Sequence, residues 1–241
     1  MIDGLGAARS GLSAQGRRMD ALAGDIANVN TAGYVPQRTS FGELVNGATR
    51  AGVELRDLGP DFTQGALEAS GRPLDLAIEG EGFFQVSRPG GQIALVRAGA
   101  FSVDASGQVV TATGDRLFPP LALPPGADPE ALAIDPSGVA TVNGQQIGQV
   151  QVVTVPARGG LLRAEGGFYS ATPASGAPVP AADARLRQGM LEASGTDLAE
   201  ATAETISTRT AFTASVGSLH AQDAMFGALM ELADRHAREG R

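Results

Sequence analysis

The sequence predicts an α+β fold in which long N- and C-terminal helices pair as a coiled-coil-like unit around an inserted antiparallel all-β domain. Three observations predict it. Apolar and small residues recur with an unbroken 3-4 spacing at Leu5, Ala8, Leu12, Gln15, Met19, Leu22, Ile26 and Val29. The same spacing returns near the other end at Leu198, Ala201, Thr205, Thr208, Phe212, Ser215, Leu219, Gln222, Phe226, Leu229 and Ala233, with Ile206, Val216 and Met230 widening the stripe. Between them the period changes to short runs such as LDLAI, FFQV, QVVTATG, GVATV and QVQVVTV, separated by Gly, Pro, Asp, Asn and Ser clusters.

The first helix carries Gly4, Gly6, Gly11, Gly16 and Gly24. Each weakens an isolated helix by about 1 kcal/mol relative to alanine, so this segment needs a partner to form. It runs into NVNTAGYVPQR, Asn28–Arg38. There Gly33 is suited to a positive φ that stops the helix, and Pro36 biases Val35 to extended geometry. Asn28, Asn30, Thr31 and Tyr34 are not needed for a plain stop, but their side chains can bind the backbone groups released there. From Tyr34 to Arg72 the periodicity is weak, which predicts an extended connection with little core of its own.

In the β region, Asn143-Gly144 marks a two-residue hairpin turn. FSVDASGQVV and LAIDPSGVAT look like two versions of one strand-turn-strand unit. The Pro-rich run Pro119–Pro129 reads as a rigid connector. The last helix should begin at Thr196 or Asp197 and end near Arg235. The expected division is therefore residues 1–33 with 187–241 as the helical domain, 34–72 as the connecting segment and 73–186 as the β domain. Heptads report burial and not the identity of the partner, so an intramolecular helical hairpin and a seam between subunits both fit these stripes.

Composition narrows the function. A chain of 241 residues with 43% hydrophobic residues can bury a core. A net charge of −8 with no Lys/Arg block argues against a nucleic-acid surface. No apolar run is long enough for a membrane-spanning helix, and the first residues lack the basic and apolar regions of a cleaved signal peptide. With no cysteine there are no disulfides, thiolate metal sites or Cys nucleophiles. The two histidines, His220 and His236, lie on the last helical pattern, remote from the strands and without metal-site spacing. Asp75, Glu79 and Glu81 could serve glycoside hydrolysis, but their shared parity against Leu74, Leu76 and Ile78 reads as a solvated strand face. Gly80-Glu81-Gly82 leads into a strand and not into a helix N-terminus, so it cannot cradle a dinucleotide phosphate. The Asp-x-Ser-Gly turns offer too few oxygens for calcium. The sequence thus predicts no catalytic residue, cofactor or metal.

Four stretches taken together resemble one family, the axial proteins of the bacterial flagellar hook and basal-body rod. They are SGLSAQGRRMDALAGDIANVNTAGYVPQR (Ser10–Arg38), TQGALEASGRPLDLAIEGEGFFQV (Thr63–Val86), RAGAFSVDASGQVVTATGDRLF (Arg97–Phe118) and LRQGMLEASGTDLAEATAETISTRTAFTAS (Leu186–Ser215). They stand in the family's order across nearly the whole chain, and the likeness is to rod members with one β domain, distal or proximal. Ser194-Gly195-Thr196-Asp197 replaces the family's usual Ser-Asn-Val-Asp, and Gly24-Asp25 replaces an Asn-Asn-like pair. The resemblance implies a non-enzymatic structural subunit that self-associates into a helical tube with other rod and hook subunits. It also implies export by the flagellar type III apparatus without a cleaved signal, and a place in the basal body. The assembly interface would then hold Leu5, Leu12, Met19, Leu22, Ile26, Val29, Leu198, Phe212, Val216, Leu219, Phe226 and Leu229. The exit motif Asn28, Asn30, Thr31, Gly33 and Tyr34 would set where the chain leaves the tube and touch a neighbouring subunit. Two competing readings are a secreted carbohydrate-active β protein using Glu79 and Glu81, and a soluble coiled-coil adaptor.

Overall fold

A computed structural model describes residues 2–46 and 49–239, with side chains described for residues 6–45, 52–232 and 235. The chain divides into two compact units. The first comprises Met1–Ile26, Arg38–Leu58 and Leu198–Arg241, and the second Ala27–Gln37 and Gly59–Asp197.

The first unit contains α1 (Ile2–Ala27), most of strands β1 (Gln37–Asn46) and β2 (Thr49–Pro60), and α2 (Leu198–Glu239). β1 and β2 pair as a two-stranded sheet, so the extended connection expected over residues 34–72 carries a hairpin. That hairpin packs on α1: Ser10 Oγ accepts from Val53 N at 3.1 Å, and Arg18 donates to Thr39 O at 3.0 Å and lies over the Phe41 ring at 5.8 Å. The contacts are polar and local, so they leave no hydrophobic period in the sequence to announce them. Arg18 Nη2 also reaches Glu204 Oε2 at 2.7 Å, tying α1 to α2 within the unit. Many helical positions of α2 are Thr or Ser, which favour caps and turns. Here the hydroxyls of Thr202, Thr205, Thr210, Thr213 and Ser215 donate to carbonyls four residues back, so the side chains are satisfied without breaking the helix.

α1 ends at Ala27, two residues short of the seam position Val29. Asn28 O accepts from Thr31 N at 3.0 Å, so a turn takes over there and Gly33 comes well after the helix has stopped. α2 begins directly after Asp197, as the capping pattern predicts, and continues past Arg235 to Glu239.

The second unit is the β structure: β3 (Leu67–Ala69), β4 (Leu76–Glu79), β5 (Phe83–Ser87), β6 (Ile93–Val96), β7 (Phe101–Val103), β8 (Val109–Thr111), β9 (Arg116–Phe118), β10 (Leu132–Ile134), β11 (Val139–Val142), β12 (Gln145–Gln149), β13 (Val152–Thr154), β14 (Leu162–Arg163), β15 (Phe168–Ser170), β16 (Val179–Pro180), β17 (Arg185–Gln188) and β18 (Met190–Glu192). The main sheet runs β14-β15-β6-β5-β9-β8-β7, with β13 and β16 branching from β5. β10-β11-β12 form a second sheet, and β17 and β18 return late in the chain to pair antiparallel with β4 and β3. The largest core cluster joins Phe84, Val86 and Phe101 of the main sheet to Leu132, Ala140 and Val142 of the second. Phe84 and Phe101 meet edge to face with centroids 5.2 Å apart, the preferred geometry for aromatic pairs. The Pro-rich run is more than a connector, because Leu121 and Leu123 within it are buried in the same core.

Asp75 corrects the solvated-face expectation, being only 1% exposed. Strand β4 starts at Leu76 and is covered on both faces, so Ala77 is buried together with Leu76 and Ile78 and the parity argument does not apply. Asp75 pairs with Ala100 in an isolated bridge and faces Arg72 Nη2 at 3.7 Å. Glu79 and Glu81 lie further out and are engaged by Arg187 at 2.8 Å and Arg158 at 2.6 Å.

The two similar turns are built alike. Asp104 Oδ1 accepts from Ser106 N, Ser106 Oγ and Gln108 N, and Asp135 Oδ1 accepts from Ser137 N, Ser137 Oγ and Val139 N. These bonds, led by the serine hydroxyl in each case, hold both carboxyls below the ordinary aspartate value of 3.8. A folded-state value below the unfolded one contributes stability above pH 3.8 that is lost as pH falls through the lowered value. The Asp104→Asn and Asp135→Asn variants should therefore lose less stability than the parent below pH 3.8, checked by urea midpoints across an acid series. An unchanged acid limb in both variants would contradict this account.

Candidate assembly interface

Two features bear on assembly, and each lies within one unit. The first is the face of α2. From Ala201 to Gln222 the predicted seam is covered, with the flanking Ile206 63% exposed: Ala201 and Thr208 are buried, and Phe212, Ser215, Val216, Leu219 and Gln222 are half-buried. Beyond Gln222 the same stripe is open, with Phe226 36%, Leu229 49% and Met230 73% exposed, and Leu198 is exposed at the other end. On α1, Leu22 is buried while Leu12, Met19 and Ile26 are half-buried. The side chain of Leu5 lies outside the described residues. Val29 is half-buried in the turn that follows α1.

The second feature is that turn. Gly33 has φ +65°, and a Cβ there would stand 2.6 Å from the backbone of Ala98, so no side chain fits. Its N–H donates to Glu192 O at 2.7 Å. Tyr34 O accepts from Gly195 N at 2.9 Å, and Pro36 O accepts from Asp61 N at 2.9 Å. The Tyr34 ring carries Arg163 above it at 4.9 Å. Val35 is buried against Phe83, Leu95, Val153 and Tyr169. In that pocket burial pushes the Tyr169 phenol up to about 12, with Arg163 pulling the other way. Of the remaining motif residues, Thr31 Oγ1 donates to Asn28 Oδ1 at 3.1 Å, and Asn30 and Thr31 are exposed.

Beneath the turn sits an ion pair that the residue pattern alone did not single out. Arg97 and Glu192 are 8% and 6% exposed, and Arg97 Nε meets Glu192 Oε2 at 2.5 Å. The rest of the guanidinium donates to Gly82 O at 2.6 Å, Gly80 O at 2.9 Å and Ile78 O at 3.2 Å. Glu192 Oε1 accepts from Gly65 N at 2.9 Å. The available signal was position in the motifs: Arg97 opens RAGAF and Glu192 closes the Leu-Glu pair, but neither residue type announces burial. Among the described residues no group of His, Asp and Glu could hold a metal ion, and no helix is long and apolar enough to cross a membrane.

Three family models match the chain: residues 5–34 the "Flagella basal body rod protein", 77–142 the "Flagellar hook protein FlgE/F/G D1 domain" and 187–232 the "Flagellar basal body rod FlgEFG protein C-terminal". The flagellar basal-body rod protein FlgG of Buchnera aphidicola subsp. Schizaphis graminum is 30% identical over 96% of this chain and 100% of its own length. The chain belongs to the flagellar rod and hook protein family. FlgG of Borreliella burgdorferi is 28% identical over 94% of the chain and 97% of its length. The hook protein FlgE of Brucella melitensis biotype 1 is 37% identical over 62% of the chain but only 36% of its length. Full-length agreement with rod proteins and partial agreement with a longer hook protein make this family member a structural protein of the basal-body rod. The matched ranges fall on α1 with the exit turn, on β4 through β11, and on β17, β18 and α2. The segment with the Arg18-bound hairpin, residues 37–60, lies in none of them.

Proposed function

We propose that this rod subunit polymerises through α1 and α2 into a hollow axial shaft that transmits torque, acting as a structural element and not as an enzyme. The observation that carries this reading is the open apolar stripe of α2, Phe226, Leu229 and Met230, which continues a seam already covered from Ala201 to Gln222. A second copy burying that stripe would remove apolar surface from water at about 25 cal/mol per Å². The helix glycines point the same way: Gly11, Gly16 and Gly24 lower helix stability, yet apart from their chain neighbours and the adjoining helix backbone no described atom lies within 4 Å of where their side chains would begin. A head-to-tail interface that does not close on itself produces a filament. Leu5, Leu12, Met19, Leu22, Ile26, Leu198, Phe212, Val216 and Leu219 are assigned to the same interface, and Asn28, Asn30, Thr31 and Tyr34 to contacts around the exit turn. Other rod and hook subunits are the natural neighbours, and export through the flagellar type III apparatus without a cleaved signal would bring the chain to the basal body.

Glu79 and Glu81, the candidates of the carbohydrate reading, are each paired with an arginine, which supports a structural role for them over an acid–base one. Phe226→Asp with Leu229→Asp should abolish sedimentable polymer at concentrations where the parent assembles, while leaving the thermal midpoint of the β unit unchanged. Asn28→Ala with Thr31→Ala, in the same assay, should reduce polymer more than it lowers monomer stability. Polymer formed equally by the Phe226/Leu229 variant would sink the assignment of the stripe.

A further inference from the structure

The second unit is entered and left at Ala27, Gln37, Gly59 and Asp197, and the segments next to the last three of these points are bonded to one another inside the unit. Pro36 O holds Asp61 N, Tyr34 O holds Gly195 N, and Gly33 N is held by Glu192 O. Glu192 stands at the centre of this set. Its carbonyl fixes the exit turn, its Oε1 fixes Gly65 N on the returning segment, and its Oε2 fixes Arg97. Arg97 in turn anchors the carbonyls of Ile78, Gly80 and Gly82, the turn between β4 and β5. Glu192 is the last residue of β18, paired with Leu67 of β3, so its placement depends on a strand that arrives late in the chain. The ladder alone would place β18, but it would not hold Gly33 or reach Arg97.

We propose that Glu192 is a positioning residue whose ion pair with Arg97 clasps the N-terminal exit turn to the C-terminal strand, so that each end of the unit is locked only when the other is docked. Coupling of this kind is reciprocal: docking of β18 favours docking of the exit turn by the same factor by which the docked exit turn favours docking of β18. The clasp rests on contacts within the β unit, not on the polymerisation reading, and it stands or falls separately from it.

Amide hydrogen exchange on the full chain tests it. In Glu192→Gln, which keeps the side-chain shape and removes the charge facing Arg97, the Gly33 and Gly65 amides should exchange at least tenfold faster. Val86 and Leu117, in the β5–β9 ladder, should stay within threefold of the parent. Unchanged exchange at Gly33, or an equal acceleration at all four amides, would overturn the proposal. A second measurement needs no variant. In the parent protein under increasing sub-denaturing urea, Gly33, Gly65 and Gly195 should open as one set with one denaturant dependence, whereas separate openings would refute a single clasp.

Discussion

Replacing Gly99 with alanine is expected to destabilise the β unit by about 4 kcal/mol or more, which is the range reserved for severe backbone and core defects. The reason is a close approach of two chain segments. Gly99 O accepts from Leu76 N at 3.0 Å, and the neighbouring Ala100 is bridged to Asp75. A Cβ on Gly99 would stand 1.6 Å from Leu76 O and 3.1 Å from Cε2 of the buried Phe84 ring. Neither neighbour can retreat, because Leu76 is ladder-paired to Gln188 and Phe84 is wedged edge-on against Phe101. Gly90→Ala is the control. It has φ +90° but no atom within 4 Å, so only the left-handed backbone cost of about 1–2 kcal/mol applies. Urea midpoints of the two variants should differ widely, and a Gly99→Ala protein as stable as Gly90→Ala would show that the two segments can separate.

The α+β division was legible because each part repeats with its own period. Leu12, Met19, Leu22 and Ile26 follow the helical spacing, and Phe83, Phe84 and Val86 with the Asn143-Gly144 turn follow the rules of strands and hairpins. The Asn143-Gly144 hairpin was legible to the residue, with β11 and β12 meeting across those two positions. The hairpin of β1 and β2 was not, because it is held to α1 by Ser10, Arg18 and Thr39 and presents exposed residues such as Phe41 and Val45. Asp75 was misread for a related reason: alternation predicts one wet face only when one face is uncovered, and β4 is covered on both.

The exit motif was partly legible. Gly33 does take a positive φ, yet it serves a turn beyond the helix end, and the absence of space for a Cβ comes from Ala98, far away in sequence. Pairings between residues 33, 65, 97 and 192 leave no local period, so single-sequence reasoning reaches them only through motif resemblance. Once placed, the motifs acquire separate physical reasons. In RAGAF, Arg97 binds three carbonyls and a carboxylate, Gly99 permits two backbones to touch, and Phe101 fills the core.

Arg97→Met should cost about 3–5 kcal/mol, because it leaves the buried Glu192 carboxylate without its cation and strands the carbonyls that Arg97 satisfied. Arg18→Met, which removes the pairing of Arg18 with Glu204 at the same kind of distance, should cost no more than about 1 kcal/mol beyond lost packing, since that pair is partly open to solvent. Burial, not separation, decides between them. Adding Glu192→Met to Arg97→Met removes the orphaned charge and should recover part of the loss, so the two substitutions should be non-additive by more than about 1 kcal/mol in a double-mutant cycle. Recovery should stop short of the parent, because Gly65 N and the carbonyls of Gly80 and Gly82 still lack their side-chain partners. Strict additivity in urea denaturation would mean that Arg97 and Glu192 act independently. Full recovery would mean that the pair contributes charge balance alone and that the exit turn is held by its backbone bonds.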